Sequence, residues 1–439
     1  MKALDEAPSG HLSLYKETSN LFRSTAKKNQ DRKIDLRHFN HVVRVDKENL
    51  VAEVEGMTTY EDLVNETLKH GCLPTVVPEL KSITIGGALS GVGIESSSFR
   101  FGLVHETIKE VVVLLSNSTV VTATPENEYR DLFFALPNAY GTLGYVLKAK
   151  VQLILVKKYV KLTHITFSDP AAYLKELDRL CAENRIRGNF SFIDGVVFDQ
   201  TTQVITVGEF VDEASFTSNY KYRHIYYRSL LTKQEDYLST LDYIWRWDPD
   251  WFWCSKVFFM QNPVLRLLLG KWMLKSTVYT KIMRALDKPW VGTTLEVMRG
   301  KRESIIQDVL IPIQHAPLFL EFFQKEIGIK PIWTCPIHPF SQSARYPLCP
   351  LDPDTLYIDF GFWDSVATNQ KEGYYNRKIE KMVQALDGFK GLYSSSYYTE
   401  EEFWEIFDKP TYHKLKQKYD PEGLLRGLFE KIQNLPRTV

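Results

Sequence analysis

The spacing of apolar and polar positions changes period several times along the chain. Segments Val42–Asp46 and 50–54 alternate with a period of two around Lys47-Glu48-Asn49, which predicts two strands joined by a turn. Segment 58–68 shifts to helical spacing. Thr58 or Thr59 caps it, Glu61 and Asp62 fall in its first turn, and Gly71 lies just beyond its end. Segments 110–115 and 119–123 predict a hairpin around Ser116-Asn117-Ser118, followed by a short helix at 131–136 and a strand at Tyr145–Leu155. After Lys157-Lys158 the order becomes strand (160–167), helix (170–183), strand (190–198), strand (203–211). Tyr173, Leu174, Leu177, Leu180 and Cys181 share one face of that helix. The order returns as strand (308–313), helix (318–327), strand (331–335), strand (355–362), and a helix follows at 375–386. An α+β domain built from two related halves is expected, although no sequence repeat accompanies it. From 397 onward the chain reads as helical and charged, with a break at Asp420-Pro421-Glu422-Gly423. These boundaries divide the chain into 1–157, 158–396 and 397–439.

Length adds that 439 residues exceed one ordinary core, which fits this division. Charge removes a function class. Lys+Arg and Asp+Glu are equal at 54 each, without the basic excess of a nucleic-acid binder, so no nucleic-acid partner is expected. Cys72, Cys181, Cys254, Cys335 and Cys349 are scattered, with no CxxC pair, so neither a metal site nor a disulfide framework is indicated. That pattern suits a reducing, cytoplasmic location. The first residues lack the apolar run of a signal peptide. Segment 257–274 is too often interrupted by Gln261, Asn262, Pro263, Arg266 and Lys271 to span a membrane.

An aromatic insertion, 243–275, separates the two halves and carries Trp245, Trp247, Trp251, Trp253 and Trp272. Three uses are open to it. It is the core of its domain, the wall of a site for a large apolar molecule, or a membrane-peripheral surface anchored by Lys256, Arg266, Lys271 and Lys275.

The densest chemical signal is Thr84-Ile85-Gly86-Gly87-Ala88-Leu89-Ser90-Gly91-Val92-Gly93-Ile94-Glu95-Ser96-Ser97-Ser98, with four glycines in eight residues. Clustered glycines let backbone N–H groups converge on an anion, a diphosphate above all, without a lysine. A tight turn that binds nothing is the other reading. Ser96 stands where a GxGxxG loop needs its third glycine, and no Gly-Lys-Ser/Thr follows, so the common nucleotide loops are excluded.

Further strings complete a pattern. Pro78-Glu79-Leu80 precedes the glycines. Tyr140-Gly141-Thr142-Leu143-Gly144 and Lys157-Lys158-Tyr159-Val160-Lys161-Leu162 come next. Pro331-Ile332-Trp333, Leu356-Tyr357-Ile358-Asp359, Glu401-Glu402-Phe403-Trp404 and Tyr412-His413-Lys414-Leu415 lie far downstream. In order and at sensible spacing, they resemble the FAD-binding domain of the vanillyl-alcohol-oxidase (PCMH-type) superfamily. More closely, the chain is similar to the delta-24 sterol reductase family and its bacterial relatives.

The resemblance implies an α+β protein with a two-subdomain PCMH-type FAD-binding domain (1–157), an α+β cap or substrate domain (158–396) and a C-terminal segment (397–439) closing on the FAD domain. It implies non-covalent FAD, although Ser9-Gly10-His11 superficially matches a covalent attachment site. Thr84, Ile85, Gly86, Gly87, Ala88, Leu89, Ser90, Gly91, Val92, Gly93, Ile94, Glu95 and Ser96 would cradle the diphosphate and reach toward the flavin. Gly141, Thr142 and Gly144 would make a second backbone approach, Gly102 and His105 would lie nearby, and Ser19, Asn20 and Arg23 would face the phosphates.

The implied activity is reduction of a C=C bond in a large apolar, sterol-like or polyprenoid molecule, with NADPH as donor, within steroid and lipid metabolism. An alcohol oxidase or dehydrogenase of the same superfamily, or a flavin-binding partner without turnover, remains an alternative. Longer relatives carry an N-terminal membrane segment, none is expected from this sequence, and no NADPH loop is recognisable. An isolated alkene accepts hydride poorly, so a well-placed acid in a dry pocket has to lead. Glu95, Tyr357, Asp359, Tyr412 and His413 are the candidates. Tyr357 and Asp359 share one face of a strand, and spacing selects none of the five.

Overall fold

The computed structural model describes residues 10–16, 22, 31–186, 188–254 and 300–433, with 256, 261, 262, 264, 266, 274 and 278 between them. Among these, a small parallel pair, β1 (Leu12–Tyr15) and β2 (Arg32–Asp35), precedes two large sheets. The first sheet has the order β3-β4-β8-β6-β7, and β5 (Cys72–Pro74) also pairs with β8. It is built from β3 (Val42–Asp46), β4 (Val51–Glu55), β6 (Ile108–Leu114), β7 (Val120–Ala123) and the long β8 (Tyr145–Leu155). The period-two alternation of β4 and β8 buries one face of each strand. Helix α1 (Tyr60–Leu68) starts where the Thr59 hydroxyl accepts from Asp62 N at 3.2 Å, and it buries Tyr60, Leu63 and Val64.

The second sheet joins β9 (Tyr159–Phe167), β10 (Phe192–Asp199), β11 (Thr202–Val211) and β12 (Glu235–Ser239) to β13 (Arg302–Pro312), β14 (Ile332–Ile337), β15 (Tyr357–Ala367) and β16 (Phe389–Lys390). Its order, β12-β9-β11-β10-β14-β15-β13-β16, is a palindrome. Each half is strand, helix, strand, strand and edge strand, and the halves meet at β10 and β14. The long helix of each half, α3 (Pro170–Asn184) or α4 (Ala316–Glu326), packs on one face of the sheet, joined by α5 (Tyr374–Ala385). Tyr173, Leu177, Phe319 and Phe323 meet Ile205, Val309 and Phe360 there. Each such buried side chain contributes about 1.5–3 kcal/mol. The opposite face, with Leu162, Phe192, Leu310, Trp333 and Trp363, shares a core with the first sheet and its helices.

The described part of the aromatic insertion is interior. Trp247, Trp251 and Trp253 are buried, and Phe252 packs 4.5 Å from Trp363 and 5.5 Å from Trp333, centroid to centroid. Of the cations expected at a membrane surface, Arg266 is buried and donates to the Tyr222 carbonyl at 2.7 Å. Lys256 pairs with Asp364 at 2.7 Å, and Lys271 and Lys275 lie outside the described residues. Among the described residues no helix is long and apolar enough to cross a membrane. All five cysteines are free and buried.

Candidate functional site

A cavity of about 560 Å³ lies between the first sheet's helices and the open face of the second sheet. Its two ends differ in chemistry.

One end is built on the glycines. Residues Ile85–Ser90 form a short helix, α2, and the Thr84 hydroxyl caps it by accepting from Gly87 N at 3.2 Å. Gly86 N donates to Gly56 O at 2.8 Å, Ile85 N to Thr58 O at 3.0 Å, Ala88 N to Thr84 O at 2.8 Å and Gly93 N to Ala88 O at 2.9 Å. Those N–H groups are therefore engaged within the protein, which corrects the expectation that they converge on an anion unaided. The glycines serve close approach instead. A Cβ on Gly86 would stand 2.9 Å from Gly56 O, and one on Gly91 would stand 2.8 Å from Gly87 O. A lysine is present after all. Lys16, at the end of β1, donates to Thr84 Oγ1 at 3.2 Å and lines the cavity, with Lys33 on the neighbouring strand donating to Ser13 at 2.7 Å. Burial pushes the Lys16 ammonium down to about 8.

The other end is aromatic, walled by Trp251, Phe252, Trp333, Trp363 and Tyr393. Asp308 of β13 lines it, opposite Gly361, where a Cβ would fall 2.7 Å from Asp308 Oδ1. The Tyr393 hydroxyl accepts from Trp363 Nε1 at 3.1 Å and hydrogen-bonds the Asp308 carboxyl. Asp359 lies behind Asp308, fully buried. Neither of its oxygens, nor Asp308 Oδ1, has a partner among the described residues. Burial pushes the Asp308 carboxyl up to about 7. Burial first, then the Asp308 charge, pushes Asp359 well above the usual carboxylate range.

Behind the cavity wall at Glu79, a buried guanidinium joins the two sheets' domains. Arg246 Nη2 lies 2.9 Å from Glu95, 2.8 Å from Asp194 and 3.7 Å from Glu79, and its guanidinium lies 4.2 Å from the centre of the Tyr243 ring. Glu79 lines the cavity, and burial followed by the charge of Glu95 holds its carboxyl well above the usual range. The network ties the first sheet's domain (Glu79, Glu95) to the second sheet (Asp194).

The structure brings together Thr84, Gly86, Gly87, Ala88, Ser90, Gly91, Val92, Gly93, Ile94, Gly141 and Gly144 on the cavity wall. Ile85 and Leu89 pack in the core behind it. Glu95 turns to Arg246, Ser96 donates to Glu95 at 2.6 Å, and the Thr142 hydroxyl donates to Ala139 O at 2.8 Å. None of these five borders the cavity. Gly102, at φ +67°, closes a turn against Glu106. His105 is buried 4.4 Å from the Tyr346 ring, and its imidazole is pushed down to about 3 by burial. The Tyr357 hydroxyl accepts from Asp352 N at 3.0 Å and that of Tyr412 from Leu428 N at 2.8 Å, while His413 is exposed beside Trp404. These four side chains also lie off the cavity. Ser19, Asn20 and Arg23 fall outside the described residues.

Lys16, Glu79, Asp308 and Tyr393 escaped the reading of the sequence as site residues. Only Asp308 left a signal there, as a lone acid inside the apolar strand Ile305-Ile306-Gln307-Asp308-Val309-Leu310-Ile311.

Residues 12–124 match the family model described as FAD binding domain. The chain is 30% identical to human Delta(24)-sterol reductase over 417 residues, covering 89% of this chain and 76% of that protein. The Arabidopsis thaliana Delta(24)-sterol reductase is 26% identical over 442 residues, covering 92% and 77%. The chain belongs to the Delta(24)-sterol reductase family. It is accordingly an FAD-dependent oxidoreductase with an α+β, PCMH-type fold. A more distant likeness is to cytokinin dehydrogenase 10 of Oryza sativa subsp. japonica, 28% identical over 171 residues, 39% of this chain and 30% of that one. The cavity fits FAD. Its cationic, glycine-walled end suits a diphosphate, and a Cβ on Gly87 would intrude there, 2.9 Å from Thr84 Oγ1 and 3.0 Å from Lys16 Nζ. Its aromatic end suits a flat ring.

Proposed function

We propose that this protein reduces an isolated C=C bond of a large apolar, sterol-like molecule, with NADPH as electron donor. Residues 1–157 and 397–439 would hold FAD, and 158–396 would cap it. Such a substrate suits a cytoplasmic enzyme that works at a membrane surface. The observation that carries the reading is the Asp308 carboxyl on the wall of the cofactor cavity, its Oδ1 without a partner among the described residues, with Asp359 buried on the neighbouring strand. Bound flavin supplies hydride transfer. The protein's part is to exclude water, position an apolar chain and hold a proton. Trp251, Phe252, Trp333 and Trp363 make a wall without charge. Asp308 presents the proton at Oδ1, which has no partner among the described residues, while the Tyr393 hydroxyl steadies the carboxyl. Asp359, buried on the same face of the neighbouring strand, stays neutral under burial and the Asp308 charge and brings no second charge into the site, while Asp308 regains its proton from solvent when the cavity is open. A donor that titrates near neutrality is matched to this task.

The cytokinin dehydrogenase likeness favours a second reading, oxidation at the same site. That direction needs a base, and a carboxyl pushed up to about 7, as Asp308 is, can serve as either acid or base. Anaerobic spectra separate the two. NADPH should bleach the flavin, and a Δ24-unsaturated sterol should then restore its colour and gain two hydrogens. Bleaching by an alcohol and not by NADPH would establish the oxidative reading.

A further inference from the structure

The glycine end of the cavity lacks what the glycines alone were expected to give. The N–H groups of Ile85, Gly86, Gly87, Ala88 and Gly93 already donate within the protein. A diphosphate placed there would carry its charge into a site where much of the backbone is engaged. Such a charge in a half-closed site needs a cation. Lys16 is that cation by position. Its ammonium stands 3.2 Å from the hydroxyl that caps α2 and 3.0 Å from the point a Gly87 Cβ would occupy.

The lysine is also held in place. Leu12 N donates to Leu424 O at 2.7 Å, and the Tyr145 hydroxyl donates to Leu12 O at 3.1 Å. Arg426 holds Asp31, one residue before β2, with Nη2 2.5 Å from Oδ1. The strand that carries Lys16 is thus fastened to the C-terminal segment and to β8.

We propose that Lys16 is the charge partner of the FAD diphosphate, and that it takes up a proton as the cofactor binds. This rests on the assignment of the cavity to FAD. The other titratable groups lining the same cavity are Tyr15, Lys33, Tyr140, Tyr145, Tyr393, Cys254 and Lys431 and the carboxyls Glu79 and Asp308, of which Glu79 faces Arg246 and Asp308 bonds Tyr393. Among the described residues no carboxylate pairs with Lys16, and burial alone lowers its ammonium to about 8. A dianionic partner restores the proton. FAD binding therefore weakens as pH rises above about 8, by up to about tenfold per pH unit.

The test follows flavin release from the purified holoprotein by fluorescence on dilution, from about pH 7 to about pH 9.5, below the ionisation of tyrosine and most lysines. The wild-type dissociation constant should rise across that range. Lys16→Met should weaken binding roughly 10–100-fold at pH 7 and flatten the pH dependence, while Lys16→Arg should keep tight binding and shift the rise beyond the range. Far-UV circular dichroism checks that each variant is folded. If Lys16→Met does not fold, the wild-type and Lys16→Arg profiles still decide. Equal, pH-independent affinity in those two would overturn the proposal, as would Lys16→Met binding like wild type. A wild-type protein that takes up no FAD would overturn the cofactor assignment instead.

Discussion

In the first half of the second sheet, Gly208 stands between Leu162 and Phe192. In the second half, Gly361 stands between Asp308 and Trp333. Two residues earlier on the same strands, Thr206 lies between His164 and Asp194, and Asp359 lies between Leu310 and Cys335. The frames are equivalent strand for strand, yet their polar residues end differently. His164 Nδ1 and Thr206 Oγ1 satisfy each other at 3.0 Å, and burial keeps that imidazole neutral, pushed down to about 4. Asp359 and Asp308 Oδ1 find no partner among the described residues. Each unpaired buried oxygen costs about 1–3 kcal/mol. In the first half the polar side chains at these positions bond each other, although His164 Nε2 has no partner among the described residues, whereas the second half places Asp308 on the cavity wall with Asp359 buried beside it. The difference is that only the second half turns a carboxyl with an unpartnered oxygen toward the cavity, which is what the proposed proton donor requires.

The largest expected effect breaks that contrast directly. Asp308→Asn should lower kcat about 10²–10⁴-fold in a steady-state assay, with the flavin still bound. Thr206→Val at the position equivalent to Asp359 should leave kcat unchanged. Arg246→Met removes the cation shared by Glu79, Glu95 and Asp194, and should cost about 3–5 kcal/mol of stability in denaturant titrations. Gly361→Ala pushes a Cβ to 2.7 Å from Asp308 Oδ1 and 2.6 Å from the Trp363 ring, and should cost about 1–3 kcal/mol with a parallel loss of activity. Gly208→Ala meets its nearest neighbours at 3.2 Å and should cost less. A separate effect is in pH dependence. The folded Asp308 carboxyl titrates at about 7, above about 3.9 unfolded, so the native state holds the extra proton between those values. Its contribution to stability is full below about pH 4 and declines as pH rises through about 7. Asp308→Asn should flatten that decline in denaturant titrations at successive pH values, and Thr206→Val should not.

Periodicity made the two halves legible, because each strand and helix carries its own apolar face. The palindromic order and the shared register were not, since strand pairing is set by contacts far apart in sequence. Asp359 is one of five candidate acids in the sequence, and no spacing selects it. Its match with Asp308 needed β13 and β15 to be laid side by side. Lys16 meets Thr84 across 68 residues, and Arg246 meets Glu95 across 151, with no motif to announce either. The glycine stretch was legible as the place where the cavity wall would form, read as an anion nest or a tight turn. That its N–H groups are engaged was hidden, because a capped helix and an open nest call for the same residues.

The account's central claim is that Asp308, backed by Asp359, holds the proton for alkene reduction. A single-turnover experiment tests it most directly. The NADPH-reduced protein is mixed anaerobically with a Δ24-unsaturated sterol, and flavin reoxidation is timed from about pH 5 to about pH 9. The account predicts that the wild-type rate falls as pH rises through about 7, and that Asp308→Asn is slow at every pH. An Asp308→Asn rate and pH profile equal to the wild type would contradict it.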